Sequence, residues 1–122
     1  MGGVEKKVKN IAIILAGGSG QRFGGNRPKQ FFKIAGKDII DHTVSNFTSL
    51  SNIDEIIIIC HKDYINYLQD KHYGNKVSVI EGGETRFFST YNALYHINNK
   101  YPKNISDNIN LIIHDAVRPF IS

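Results

Sequence analysis

The sequence is poor in the residues that staple small secreted folds and in the runs that cross membranes. It holds one cysteine in 122 residues, so no internal disulfide can form. Cys60 sits inside an apolar run, and a buried, inert thiol in a cytoplasmic protein is the economical reading. No apolar stretch approaches the ~20 residues that a membrane helix needs, so no membrane partner is expected. Met1-Gly2-Gly3-Val4-Glu5-Lys6-Lys7 lacks the apolar core of a signal peptide. It also misses the myristoylation pattern, because Lys6 stands where Ser or Thr is required. Three prolines form no linker, and no repeat or low-complexity tract appears. With 41% hydrophobic and 21% charged residues, disorder fits poorly, and the length suits one domain with a real core.

Acidic residues are also missing from the stretch Lys6 to Lys37, which carries eight basic ones (Lys6, Lys7, Lys9, Arg22, Arg27, Lys29, Lys33, Lys37). Outside it, acidic residues outnumber basic ones eleven to seven, so all of the net charge of +4 lies in the first third. Such a field attracts anions, whether nucleic acid, acidic lipid or a phosphorylated small molecule.

What is present reads as alternating strands and helices. Ile11-Ala12-Ile13-Ile14-Leu15, Glu55 to Cys60, Val77 to Ile80 and Asn110 to His114 are short apolar runs, the signature of buried strands. Between them, Asp38 is a plausible cap for a helix with Ile39, Ile40, Thr43, Val44, Phe47 and Leu50 on one face. Tyr64, Ile65, Tyr67 and Leu68 suggest a short helix ending near Gly74. Phe87, Tyr91 and Leu94, with Phe88 and Tyr95 beside them, mark a third helix that Thr85 could cap, with these aromatics in core positions. The order β-α-β-α-β-α-β implies a mostly parallel sheet with helices on both faces. Ligands in such sheets bind beyond the carboxyl ends of the strands, which selects three segments.

The first is Leu15-Ala16-Gly17-Gly18-Ser19-Gly20-Gln21-Arg22-Phe23, continuing to Pro28-Lys29-Gln30. Glycines let backbone N–H groups line a phosphate, and Arg22 and Lys29 add full positive charges. It is neither the dinucleotide fingerprint, since Phe23 stands where the third glycine belongs, nor a Walker A loop, since no Gly-Lys-Ser/Thr follows. The alternative is a flexible loop with solvated cations. The second is Glu81-Gly82-Gly83-Glu84-Thr85-Arg86-Phe87-Phe88-Ser89. Here backbone groups of Gly82 and Gly83 can read the edge of a base and the Ser89 hydroxyl can face the same pocket, or the segment is only a turn and a helix start. The third is His114-Asp115-Ala116-Val117-Arg118-Pro119-Phe120. Asp115 is well placed to hold Mg²⁺, a hard cation that prefers oxygen ligands and substrate phosphates, or else caps its turn. Arg118 either orients an anionic substrate or pairs with Asp115. His114 reads more simply as a satisfied strand residue. The other histidines show no metal-ligand spacing, so no zinc site is expected.

Together, in this order, the three segments resemble the polyol-phosphate cytidylyltransferases, the 2-C-methyl-D-erythritol 4-phosphate and D-ribitol-5-phosphate enzymes. The resemblance implies a Rossmann-like nucleotidyltransferase fold, of which residues 11–122 would be the N-terminal, nucleotide-binding half and residues 1–10 an extension. The family's projecting arm, which forms a homodimer and covers the polyol phosphate, has no counterpart here. The resemblance implies a CTP-dependent transferase that releases pyrophosphate. The amides of Ala16 to Gly20, after Leu15, would cradle the triphosphate, and Arg22 and Lys29 would stabilise charge during transfer. Gly82, Gly83 and Ser89 would read cytosine, Asp115 would hold Mg²⁺, and Arg118 would meet the incoming phosphate. Leu15-Ala16-Gly17-Gly18 and Val117 with Phe120 look closer to the ribitol branch. A nucleotide-binding piece without catalysis, or a transferase using another triphosphate and a sugar phosphate, are the alternatives. Nucleic acid is not an expected partner, because no stacking platform of interleaved aromatics and cations is evident.

Overall fold

A strand that is apolar on both faces must be covered on both, and the two central strands of this protein are. The computed structural model describes residues 8–16, 33–34, 37–101 and 108–115. In it β1 (Lys9–Leu15) and β4 (Glu55–Cys60) lie side by side, flanked by β5 (Val77–Glu81) and β6 (Ile109–Asp115). The sheet order is β5-β4-β1-β6 and every pairing is parallel. A two-stranded antiparallel pair, β2 (Lys33–Ile34) with β3 (Lys37–Asp38), precedes the first helix.

The pleat sends alternate residues to opposite faces. Ala12, Ile14, Ile56 and Ile58 form one core with Ile40 and Val44 of α1 (Ile39–Thr48) and Leu68 of α2 (Ile65–Gln69). Ile11, Ile13, Ile57 and Ile59 form the other with Ala93 and Ile97 of α3 (Arg86–Lys100). This explains the unbroken Ile56-Ile57-Ile58-Ile59 run, each residue of which is fully buried. Each such side chain contributes about 1.5–3 kcal/mol relative to exposure.

Three expectations need correction. Leu50 lies beyond the end of α1 and is 46% exposed, so it is no part of that helix's apolar face. Asp38 directly precedes α1, the position from which the sequence has it cap the helix, and it also ends β3, of a strand pair that had no sequence signal. In α3 the aromatic stripe points outward: Phe87 is 70% exposed, and Phe88, Tyr91, Leu94 and Tyr95 are exposed too. The buried stripe is Ser89, Ala93 and Ile97. The small Ser89 and Ala93, four residues apart and followed by Ile97, let the start of the helix lie close on the sheet, and rings at those positions would hold it off. On β6, the edge strand beside β1, Leu111, Ile112 and Ile113 are all partly exposed. Among the described residues no helix is long and apolar enough to cross a membrane.

Anchors at both ends set the position of α3. At its C-terminal end, the almost fully buried Glu55 accepts from Lys100 Nζ at 2.8 Å and from the Tyr101 hydroxyl. At its N-terminal end, Thr85 Oγ1 accepts from the Phe88 N–H at 3.2 Å, the cap expected from the sequence. Held there, the first turn of α3 reaches the carboxyl rim of the sheet.

Candidate functional site at the carboxyl rim of the sheet

Strand register brings the selected segments to one level. Leu15 pairs with Asp115 on one side and with Ile59 on the other, and Cys60 pairs with Glu81. The ends of β6, β1, β4 and β5 therefore form one rim. Neighbouring strands lie about 4.8 Å apart, so its outer members are roughly 14 Å from each other, a span suited to a nucleotide. Of the residues expected at the site, Leu15, Ala16, Gly82, Gly83, Ser89 and Asp115 are described, and all stand on this rim or in the turn above it. Gly17, Gly18, Ser19, Gly20, Arg22, Lys29 and Arg118 lie outside the described residues.

The hydrogen bonds refine what each group can do. The Ala16 N–H donates to the Ile59 carbonyl at 2.7 Å, extending the ladder by one residue. That amide is used within the sheet, so amide donors for a phosphate would begin after it. The Gly82 N–H donates to the Cys60 carbonyl at 2.8 Å, and the Gly83 N–H donates to Ser89 Oγ at 3.1 Å. Ser89 Oγ in turn lies 3.4 Å from the Gly83 carbonyl, to which it can donate. Ser89 is buried, and its hydroxyl clasps the turn. With both amides engaged, the Gly-Gly turn has carbonyl oxygens to offer a ligand, and each has two lone pairs. Such acceptors suit a base edge that carries an amino group.

Both glycines are required by packing. A Cβ on Gly82 would stand 2.7 Å from Ile59 Cγ2 and from Ser89 Oγ, and one on Gly83 would run into Phe88 Cβ. The glycines therefore let the turn close onto the start of α3 as well as admit a ligand.

Asp115 ends β6 with its side chain one-third exposed, and Arg86 Nη1 donates to its Oδ1 at 2.6 Å. Arg118, which the sequence offered as a partner for this carboxylate, lies outside the described residues; among those described, Arg86, from a different segment, meets it. The signal was present in the second segment, but only the tertiary arrangement joins two residues so far apart in sequence. His114 packs its ring edge-on against Phe47, with centroids 5.4 Å apart, the structural role expected for it. Cys60 is buried beneath the rim. Burial, with the nearby Glu81 carboxylate, pushes its thiol up to about 12, so it is neither a nucleophile nor a thiolate ligand at neutral pH.

Among the described residues no three His, Cys, Asp or Glu side chains converge. An accessible carboxylate such as Asp115 fits Mg²⁺, which commonly takes one or two protein carboxylates and completes its shell with substrate phosphates and water.

Comparison with known proteins agrees with this layout. Residues 10–122 match the family model IspD, 2-C-methyl-D-erythritol 4-phosphate cytidylyltransferase. A protein of that name from Thermosipho melanesiensis is 45% identical over 118 residues, covering 93% of this chain and 49% of its own length. The Haemophilus influenzae bifunctional ribulose 5-phosphate reductase/CDP-ribitol pyrophosphorylase Bcs1 is 43% identical over 120 residues, covering 95% of this chain and 24% of its own. The crystal structure of the Francisella tularensis 2-C-methyl-D-erythritol 4-phosphate cytidylyltransferase superposes with a TM-score of 0.69 at 33% identity, over 93% of this chain and 46% of that one. The chain thus spans about half the length of the Thermosipho relative and of the Francisella structure. The Rossmann-like nucleotidyltransferase fold, with its parallel sheet and helices on both faces, is the one expected from the sequence.

Proposed function

Because the chain belongs to the 2-C-methyl-D-erythritol 4-phosphate cytidylyltransferase family, we propose that the full-length protein joins CTP and a polyol phosphate to give a CDP-polyol and pyrophosphate. The observation that carries this reading is the register of Leu15, Cys60, Glu81 and Asp115 on one rim. That register brings to one level the strand ends from which the three candidate segments depart, which supports the reading.

An oxygen of the polyol phosphate attacks the α-phosphorus of CTP, a new P–O–P bond forms, and the α–β bond breaks to release pyrophosphate. Both reactants are anionic, so the protein's work is positioning and charge neutralisation, with no covalent intermediate. The backbone N–H groups of Gly17 to Gly20 hold the triphosphate, following Leu15 and Ala16. Arg22 and Lys29 stabilise the charge that develops on the α-phosphate and leaving group. The carbonyls of Gly82 and Gly83, on a turn fixed by Ser89, accept from the cytosine amino group and so favour cytosine over uracil. Arg118 meets the incoming phosphate. Asp115 is the residue that would hold Mg²⁺, which when bound neutralises triphosphate charge. No general base is needed, because a phosphate nucleophile is already ionised near neutral pH.

Two polyols have support. Leu15-Ala16-Gly17-Gly18 and Val117 with Phe120 favour D-ribitol 5-phosphate, as does the similarity to a CDP-ribitol pyrophosphorylase. The family match and the Thermosipho relative favour 2-C-methyl-D-erythritol 4-phosphate. The test is pyrophosphate release by the full-length protein with CTP and each polyol phosphate in turn. Release with one of them, lost in Lys29→Ala, supports the reading. Equal rates with UTP, or no release with either polyol, contradict it. We place the protein in the cytoplasm, acting as a homodimer.

A further inference from the structure

Arg86 is the first residue of α3, at the positive end of the helix dipole, where a cation gains nothing from the helix. It contributes little to anchoring that helix, which is held by the Thr85 cap, the Ser89 clasp and the Lys100 and Tyr101 bonds to Glu55. Its guanidinium instead reaches the end of β6 and donates to Asp115 Oδ1 at 2.6 Å. With side chains 60% and 34% exposed, the pair is solvated, adds little to stability and can exchange partners readily.

From this geometry we propose that Arg86 is a positioning residue that serves as a resident counter-ion of Asp115 in the nucleotide-free protein. It occupies the carboxylate and must leave it before the carboxylate can take a divalent cation. The inference rests on the reading of Asp115 as a cation-binding residue, and adds a device that keeps the rim from loading a bare cation. While the pair is formed, cation affinity is reduced, because the cation has to displace Arg86 from the carboxylate. An anionic ligand able to draw the guanidinium away removes that reduction, so anion and cation help each other to bind, and reciprocity makes the help mutual. Arg86 follows the Gly82-Gly83 turn closely in the chain and belongs to the same rim.

The test is a Mn²⁺ titration by calorimetry, without nucleotide, on the full-length protein and its Arg86→Gln and Asp115→Asn variants. The expected result is Mn²⁺ binding about fivefold tighter in Arg86→Gln than in the unaltered protein, the release of one competing surface pair, and much weaker binding in Asp115→Asn. A merely structural arginine would not give a gain in affinity on removal. If Arg86→Gln binds Mn²⁺ no more tightly while Asp115→Asn still loses it, the counter-ion role is wrong and the reading of Asp115 survives. If Asp115→Asn titrates like the unaltered protein, Asp115 does not hold the cation and both fall.

Discussion

Ser89 and Gly83 are joined twice: the Gly83 N–H donates to Ser89 Oγ at 3.1 Å, and that hydroxyl faces the Gly83 carbonyl at 3.4 Å. A buried serine thereby converts a flexible Gly-Gly turn into a fixed platform at the mouth of the sheet. Ser89→Ala leaves a part-buried N–H without its partner, a cost of about 1–3 kcal/mol. Urea unfolding should show that loss. Under the proposed function, binding of CTP should weaken more than binding of inorganic pyrophosphate, because the turn proposed to read the base is loosened and the loop proposed to hold phosphate is not.

Gly83→Ala should be worse than Ser89→Ala. Its new Cβ would overlap Phe88 Cβ and stand 3.0 Å from the Phe88 backbone carbon, and backbone cannot rotate out of the way. Overpacking of this kind costs about 1–3 kcal/mol, and relief would require the turn to lift from α3. Thermal melts of Gly82→Ala and Gly83→Ala should both fall, with Gly83→Ala the lower. The Gly82 contacts are side-chain atoms of Ile59 and Ser89, which have some room to shift.

The opposite end of the sheet carries the clearest pH dependence. Burial, with the Glu55 carboxylate that its hydroxyl bonds, holds the Tyr101 phenol well above its ordinary value of 10.0. A group whose value is raised by folding contributes stability that is complete below its unfolded value and is lost as pH rises toward the folded one. Stability should therefore hold up to about pH 9 and fall steadily above about pH 10. In Tyr101→Phe the alkaline fall should be shallower, with a loss of about 1–3 kcal/mol at neutral pH because Glu55 keeps fewer donors. Urea midpoints across the alkaline range measure both effects.

Cys60 is expected to be inert in the folded protein. Its thiol is fully buried and pushed up to about 12, so almost no thiolate exists near neutral pH. Labelling by a thiol-specific disulfide reagent should be slow under native conditions and fast in denaturant. Rapid native labelling would mean that the end of β4 opens readily.

The central strands were legible because β1 and β4 are covered on both sides, and an unbroken isoleucine run has no face to turn toward water. The outward face of α3 was not. Phe87, Tyr91 and Leu94 follow helical spacing as well as any core stripe, and only contact with the sheet reveals that Ser89, Ala93 and Ile97 are the inner face. β2 and β3 are two residues each, too short for any periodicity. The rim itself followed from the rule that parallel strands place ligands at their carboxyl ends, and Asp115, Gly82, Gly83 and Ser89 were found there. What sequence could not supply was the direction of hydrogen bonds: Ala16 and Gly82 use their amides in the sheet, and Arg86 meets Asp115 only through the tertiary placement of α3 relative to β6.

Amide hydrogen exchange on the full-length protein, with and without CTP and Mg²⁺, tests most directly whether the strand ends grip a nucleotide. Slowed exchange should be confined to the Gly17–Gly20 loop, the Gly82-Gly83 turn and the backbone around Asp115, with Glu55 and Tyr101 at the far end unchanged. Protection centred on the far end of the sheet, or none at any concentration of CTP, would contradict the site.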